Sequence, residues 1–185
     1  MMDSVNIAVI GCGWVCEKVH LPALALDPRV HIAGVYASVD VRTAELAERF
    51  SVPRFNDLDA LLKSDANAVL ITTPPTSHYN VIKSCLLAGK NVVCEKPLAL
   101  AHADAIDVVK LADDLNLTIQ CCMSNRHRPD VALMKDLVGR GAIDRPQSLR
   151  ATWFKGQGIP RTSRGLECGV IWHLRVHGDA LRGRP

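Results

Sequence analysis

Short apolar runs alternate with segments of helical periodicity along the first 120 residues. "VNIAVI" at 5–10 reads as a buried strand, and "HIAGVYA" at 31–37, "AVLITT" at 68–73, "NVVCE" at 91–95 and "LTIQCCM" at 117–123 repeat that pattern. Helical patterns fill the intervals at 14–26, 41–50, 57–63, 77–89 and 102–114. Strands this apolar, alternating with helices, predict a parallel sheet covered on both faces, with right-handed crossovers. Pro22 should break or kink the first helix, because it lacks an amide proton and crowds the preceding turn. Ala88-Gly89-Lys90 is a helix stop. In "VVCEKPLAL" the run ends at Glu95-Lys96-Pro97, where proline terminates ladder hydrogen bonding.

The rhythm changes near residue 122. "MSNRHRPD" breaks the alternation, Pro129-Asp130 opens a helix that ends at Gly139 and Gly141, and 147–154 alternates like a strand with one wet face. The segment 123–185 is short for an independent core. We therefore divide the chain into a first domain, 1–122, and the beginning of a second, 123–185.

Composition narrows the class. At 48% hydrophobic residues the chain can fill a core. No apolar run approaches the roughly 20 residues of a membrane span, and the N-terminus lacks the basic and apolar regions of a signal peptide. A cytoplasmic protein with no membrane partner is expected. The seven cysteines are odd in number and irregularly spaced, as expected for reduced thiols. Residues 1–125 carry 10 basic and 14 acidic side chains, and 126–185 carry 12 and 5. The basic excess is scattered and without interleaved aromatics, so no nucleic-acid partner is expected.

"VNIAVIGCGWVC" sets Gly11-x-Gly13-x-x-Cys16 directly after the first strand. Gly11 permits a tight turn, and Gly13 lets backbone approach a pyrophosphate at a helix N-terminus, where amides and the helix dipole favour an anion. Gly11, Cys12, Gly13, Trp14 and Val15 form this candidate dinucleotide loop. Cys16 stands where glycine or alanine is usual, and is small enough for close helix–strand packing. The whole reads as an α/β protein: a doubly wound parallel sheet of Rossmann type, followed by the start of an incomplete α/β second domain. The second strand leads to the residue that reads the adenosine ribose. Ser38 stands there, about 25 residues past Gly13, with Arg42 four further on, which favours the 2′-phosphate of NADP. Asp40 is a rival acid that would favour NAD.

Three stretches carry a family resemblance. "IGCGWVCEKVHLPAL", "TTPPTSHYNVIKSCLLAGKNVVCEKPLA" and "NRHRPDVALMKDLVGRGAIDRPQSLRAT" resemble the Gfo/Idh/MocA oxidoreductases, the glucose–fructose oxidoreductase and inositol dehydrogenase group. The resemblance spans nearly the whole chain and is most specific over 70–100. It implies NAD(P)-dependent hydride transfer to or from a small molecule of sugar or cyclitol type. It places Lys96 beside the nicotinamide and the reacting hydroxyl, with a cis peptide before Pro97. It makes Glu95 a structural or cofactor-side contact, and it sets Thr72, Pro74 and His78 along the cofactor cleft.

The family's second motif, roughly Asp-x-Gly-x-His-x-x-Asp, corresponds to "VIWHLRVHGDALRGRP". His177 falls on the histidine and is the candidate acid/base. His173 and Arg175 replace the aspartate and glycine, and Asp179 follows one residue early. No metal site is expected: His173 with His177 lacks an acid, and Cys12 sits off the helix face shared by Cys16 and His20. Relatives in this family usually continue into a large sheet that covers the active site and often builds a dimer, so the chain reads as truncated. Two functions stay open, a hydride-transferring enzyme and a non-catalytic dinucleotide-binding remnant or sensor.

Overall fold

The computed structural model describes residues 4–143, 146, 148–151 and 174–177, with backbone alone at 40, 148–151 and 174–177. Its order is β1 Val5–Ile10, a π-helical turn Cys16–His20, α1 Leu21–Leu26, β2 Val30–Tyr36, α2 Asp40–Phe50, α3 Leu58–Leu62, β3 Ala68–Ile71, α4 Pro75–Leu87, β4 Asn91–Glu95, α5 His102–Asp114 and β5 Ile119–Cys122. After a 3₁₀ turn, Ser124–His127, come α6 Pro129–Gly139, β6 Ser148–Ala151 and β7 Leu174–His177. The chain divides into two units, Met1–Met123 and Ser124–Pro185.

In the first unit all five strands run parallel in the order β2-β1-β3-β4-β5. A single parallel bridge, Val35 to Arg54, lies beyond β2. It is held by Val35 N–H to the Pro53 carbonyl at 2.9 Å and Phe55 N–H to the Val35 carbonyl at 3.0 Å. Counting that bridge as a strand reduced to one residue, the order is that of a doubly wound dinucleotide fold.

The sheet is buried on both faces because side chains alternate along each strand. Ala8, Ile10, Val69, Ile71, Val92 and Cys94 face Leu61 of α3, Ile82 and Leu86 of α4, and Val108 and Ala112 of α5. Ile7, Val9, Ala68 and Leu70 face the opposite layer, where Cys16, Leu21, Leu46 and Ala47 pack. Each fully buried Val, Leu or Ile contributes about 1.5–3 kcal/mol.

Two helices differ from the sequence reading at points with a physical cause. The break expected at Pro22 appears one turn earlier, as the π-helical turn Cys16–His20, closed by Leu21 N–H to the Cys16 carbonyl. Proline at 22 has no proton for the carbonyl four residues back, and its ring crowds that carbonyl, so the turn before it widens. Helix α4 begins at Pro75 rather than 77, because proline is pre-set for the first helical position. Its end is as expected. Gly89 takes φ +73° and Lys90 N–H bonds the Cys85 carbonyl at 3.0 Å.

Lys90 then turns inward. It is 8% exposed, and its Nζ donates to the Ser64 and Ala66 carbonyls at 2.6 and 2.8 Å. The ammonium thereby satisfies acceptors in the connection from α3 to β3.

In the second unit, Pro129 opens α6, and β6 pairs antiparallel with β7 in the register Ser148 to His177. The strand expected at 147–154 is observed at Ser148–Ala151.

Lys90→Met keeps the aliphatic bulk but strands both carbonyls, and should lower stability by about 1–3 kcal/mol. A urea unfolding midpoint unchanged from wild type would show that the two bonds contribute nothing.

Candidate functional site

The carboxyl ends of β1 and β3 are neighbours, but their chains depart toward opposite sides of the sheet. That divergence opens the crevice in which doubly wound folds bind ligands. Gly11 lies in it at φ +102°, and its N–H bonds the Tyr36 carbonyl at 2.7 Å. A Cβ on Gly11 would come within 2.7 Å of the backbone at Thr72 and Thr73. The strand reading of 68–73 overshoots here. β3 ends at Ile71, the Thr72 amide makes a last bond to the Ile10 carbonyl at 2.8 Å, and the Thr72 hydroxyl donates to the Gly11 carbonyl at 2.6 Å.

Gly13 is the opposite case. It is exposed, and a Cβ built on it would meet nothing within 4 Å. Glu17 N–H bonds the Gly13 carbonyl at 3.0 Å, which starts the helix, so the first-turn amides after Gly13 lack helical acceptors. Trp14 and Val15 are exposed beside them. Open space before a helix N-terminus, next to a glycine that fixes the turn, fits a pyrophosphate.

Cys12 and Cys16 are both buried, Cys16 completely, which accounts for a thiol at the third position of the loop. Contact with Cys12, then burial, pushes the Cys16 thiol well up.

At the ribose end Ser38 is exposed. Arg42, 43% exposed in its side chain, donates to Glu17 Oε2 at 2.8 Å, so its guanidinium already has a carboxylate partner. Lys18 and Arg49 each approach Glu17 Oε1 at 2.7 Å. The Lys18 bond, opposed by burial and reinforced by Arg42, holds the Glu17 carboxyl down at about 2. Glu17 drew no attention in the sequence because its three cations come from two helices.

The third edge of the crevice is the Glu95-Lys96-Pro97 turn, whose Lys96–Pro97 peptide is cis. Glu95 Oε1 meets His20 Nε2 at 2.8 Å, and Oε2 accepts Lys96 N–H at 3.1 Å. Lys96 itself is exposed, and no ion pair holds its ammonium among the described residues. Pro74, also exposed, caps α4.

His78, which the resemblance sets along the cofactor cleft, is 1% exposed. Its Nδ1 lies 2.7 Å from the Pro97 carbonyl and its Nε2 lies 2.9 Å from the Thr73 carbonyl. Both ring nitrogens thus meet backbone, and the ring braces the loops after β3 and β4. His20 is the partner sequence reasoning missed. It lies 75 residues from Glu95, and only its place in "HLPAL" marked it.

His177 ends β7 in the second unit, where backbone alone is described. His173 and Asp179 fall outside the described residues, and of Asp40 the backbone shows only that it begins α2.

No helix among the described residues is long and apolar enough to cross a membrane. Residues 5–122 match the family described as "Oxidoreductase family, NAD-binding Rossmann fold". An uncharacterised oxidoreductase of Schizosaccharomyces pombe is 32% identical over 200 aligned positions, covering 100% of this chain and 53% of the relative. A dTDP-3,4-didehydro-2,6-dideoxy-alpha-D-glucose 3-reductase of Actinomadura kijaniata is 27% identical, covering 95% and 54%. A crystal structure of a 3-ketoreductase from Actinomadura kijaniata, in complex with NADP and TDP-benzene, superposes with a TM-score of 0.75 at 25% identity. The superposition covers 88% of this chain and 49% of that one. The chain thus spans about half the length of the curated relatives it matches. Its parallel sheet, glycine loop and sequence agree, and the chain belongs to the oxidoreductase family with an NAD-binding Rossmann fold.

Proposed function

We propose that this chain is the nucleotide-binding part of an NAD(P)-dependent oxidoreductase. The reaction would move a hydride between nicotinamide and a sugar, cyclitol or related secondary alcohol or ketone. The observation that carries the reading is the open space before Gly13, beside the tight contact of Gly11 with Thr72 and Thr73. In this reading residues 1–122 hold the dinucleotide and 123–185 begin the substrate domain.

The nicotinamide, when bound, supplies or accepts the hydride. Gly11 to Val15 seat the pyrophosphate, and Thr72 and Pro74 border the crevice. Glu95, tied to His20, orients the start of the Lys96 turn, and His78 braces its far side. Lys96 projects a positive charge to where alkoxide character develops on the substrate oxygen. His177, on the histidine of the second motif, would carry the proton as general acid or base.

NADP is the favoured cofactor. Ser38 leaves room for a 2′-phosphate, and Arg42 donates to Glu17 through one nitrogen while its side chain stays half-exposed. The similar 3-ketoreductase was solved with NADP. A second reading, dinucleotide binding without turnover, draws on His173 and Arg175, which replace the aspartate and glycine of the second motif.

Titration with NADPH and NADH, followed by reduced-nicotinamide fluorescence, tests the first step. The wild-type chain should saturate with both, and Gly13→Val should weaken binding at least roughly tenfold at unchanged circular dichroism, since its side chain fills the pyrophosphate space. Binding untouched by Gly13→Val would move the site elsewhere.

Arg42→Ala should cost NADPH about tenfold in affinity, the worth of one charge-assisted bond, and leave NADH nearly unchanged. Equal losses for both cofactors would remove Arg42 from phosphate recognition.

With a substrate found in a sugar and cyclitol panel, Lys96→Ala should lower kcat at least about 100-fold while cofactor affinity stays within a few-fold. Full turnover in that variant would assign the chemistry to another group. Cofactor binding with no turnover on any substrate would favour the second reading.

A further inference from the structure

The face of the sheet that carries α1 holds a second constellation, in which Cys122, a residue the redox reading does not use, joins His20 and Glu95. Glu95 and Cys122 are register partners at the ends of β4 and β5, so their side chains project from the same face. His20, from the π-helical turn, reaches the same point. One imidazole nitrogen, one carboxylate oxygen and one sulfur all lie within 4.8 Å of one another. From the convergence of these three donors we propose that His20, Glu95 and Cys122 form a binding site for a divalent cation of the zinc class.

The donor set is the first argument. Imidazole, carboxylate and thiolate are the three ligand types that zinc takes, and three protein ligands with one open position is its usual arrangement where it keeps a water. A thiolate excludes magnesium and calcium, which select oxygen. Geometry is the second. Tetrahedral zinc at ordinary bond lengths sets its ligand atoms roughly 3.3–3.7 Å apart. The three donors already lie inside the range from which small rotations reach that spacing. His20 and Glu95, now 2.8 Å apart, must open by about half an ångström.

Support and access are the third. The ligands sit on three elements that the sheet and the α1 layer fix separately. Glu95 keeps its other oxygen on the Lys96 amide, an outer contact of the kind that orients a ligating carboxylate. The His20 and Glu95 side chains are 18% and 19% exposed, which leaves a path for an ion. An ion pair alone accounts for His20 and Glu95 but leaves the converging thiol without a role.

Binding balances as an exchange of a proton for the metal. The thiol proton leaves to solvent, His20 binds through an unprotonated Nε2 with its remaining proton on Nδ1, and the carboxylate and thiolate together neutralise the dication. No redox change is involved. His20 lies 75 residues before Glu95, and Cys122 comes from the next strand, beyond the reach of any spacing rule, so the sequence pointed to no metal.

The purified, reduced 185-residue chain, titrated with cobalt(II), tests the site. One equivalent should raise a thiolate-to-cobalt charge-transfer band, and zinc should remove it by displacement. Cys122→Ser should abolish the band. Cys121→Ser, one residue away on the opposite face, should retain it. His20→Gln should weaken zinc at least roughly tenfold. Circular dichroism checks each variant, and Cys122→Ala replaces Cys122→Ser if the latter loses its fold. No band from the folded wild-type chain, a band that survives loss of Cys122, or a band lost equally with Cys121→Ser would each overturn the proposal. The test reads no catalytic activity and no cofactor, so its failure leaves the hydride-transfer reading untouched.

Discussion

The candidate site depends on how closely two backbones can approach where β1 and β3 end. Gly11 and the Thr72–Thr73 peptide occupy the room a Cβ would need, and the Thr72 hydroxyl closes the contact on the Gly11 carbonyl. With that contact made, the chain after Gly11 has to turn away from the sheet, and its next exposed residue is Gly13. The open space at Gly13 follows from the absence of space at Gly11. Any side chain at 11 would push the loop out into the volume a phosphate needs. One steric constraint thus fixes the turn, the helix start and the open space at Gly13 together.

A second layer of constraint acts on the neighbouring strand end. Glu95 is held from one side by His20, and the Pro97 carbonyl is held from the other by His78. The turn that carries Lys96 is therefore gripped at both ends while the lysine side chain is left to solvent. Preorganisation of this kind lets a charge act without first being ordered. Arg42 and Arg49 do comparable service at the other end of the crevice, where they tie α2 to the π-helical turn through Glu17.

Much of this was legible in the sequence, and the reasons differ by element. The strands at 5–10 and 91–95 and the helix at 102–114 emerge with the predicted bounds, because each is a strong apolar period bounded by turn residues. The glycine loop was legible because glycine is the one residue whose backbone freedom is written into its identity. The start of α4 was misread, since Pro74-Pro75 looks like a turn until the second proline is seen at the first helical position. The setting of His78 was hidden for a deeper reason. A histidine in a motif says nothing about which way its ring faces, and here two carbonyls from distant loops claim both nitrogens. His20 with Glu95 and Glu17 with Arg49 share that difficulty. Their partners lie 75 and 32 residues apart, and only the assembled layers bring them together.

The strand order also bears on how the molecule is made. β1 is made before the other four strands of its sheet, yet it ends between β2 and β3, whose pairings reach it from Val30 and from Ala68. The earliest segment thus waits for its second neighbour until the chain has grown past residue 71, and the Thr72 hydroxyl arrives 61 residues after the carbonyl it closes. Contacts of that span make assembly slow and leave an apolar strand uncovered during synthesis. The nucleotide crevice therefore cannot close until Thr72 has been made, 61 residues after the glycine that announces it.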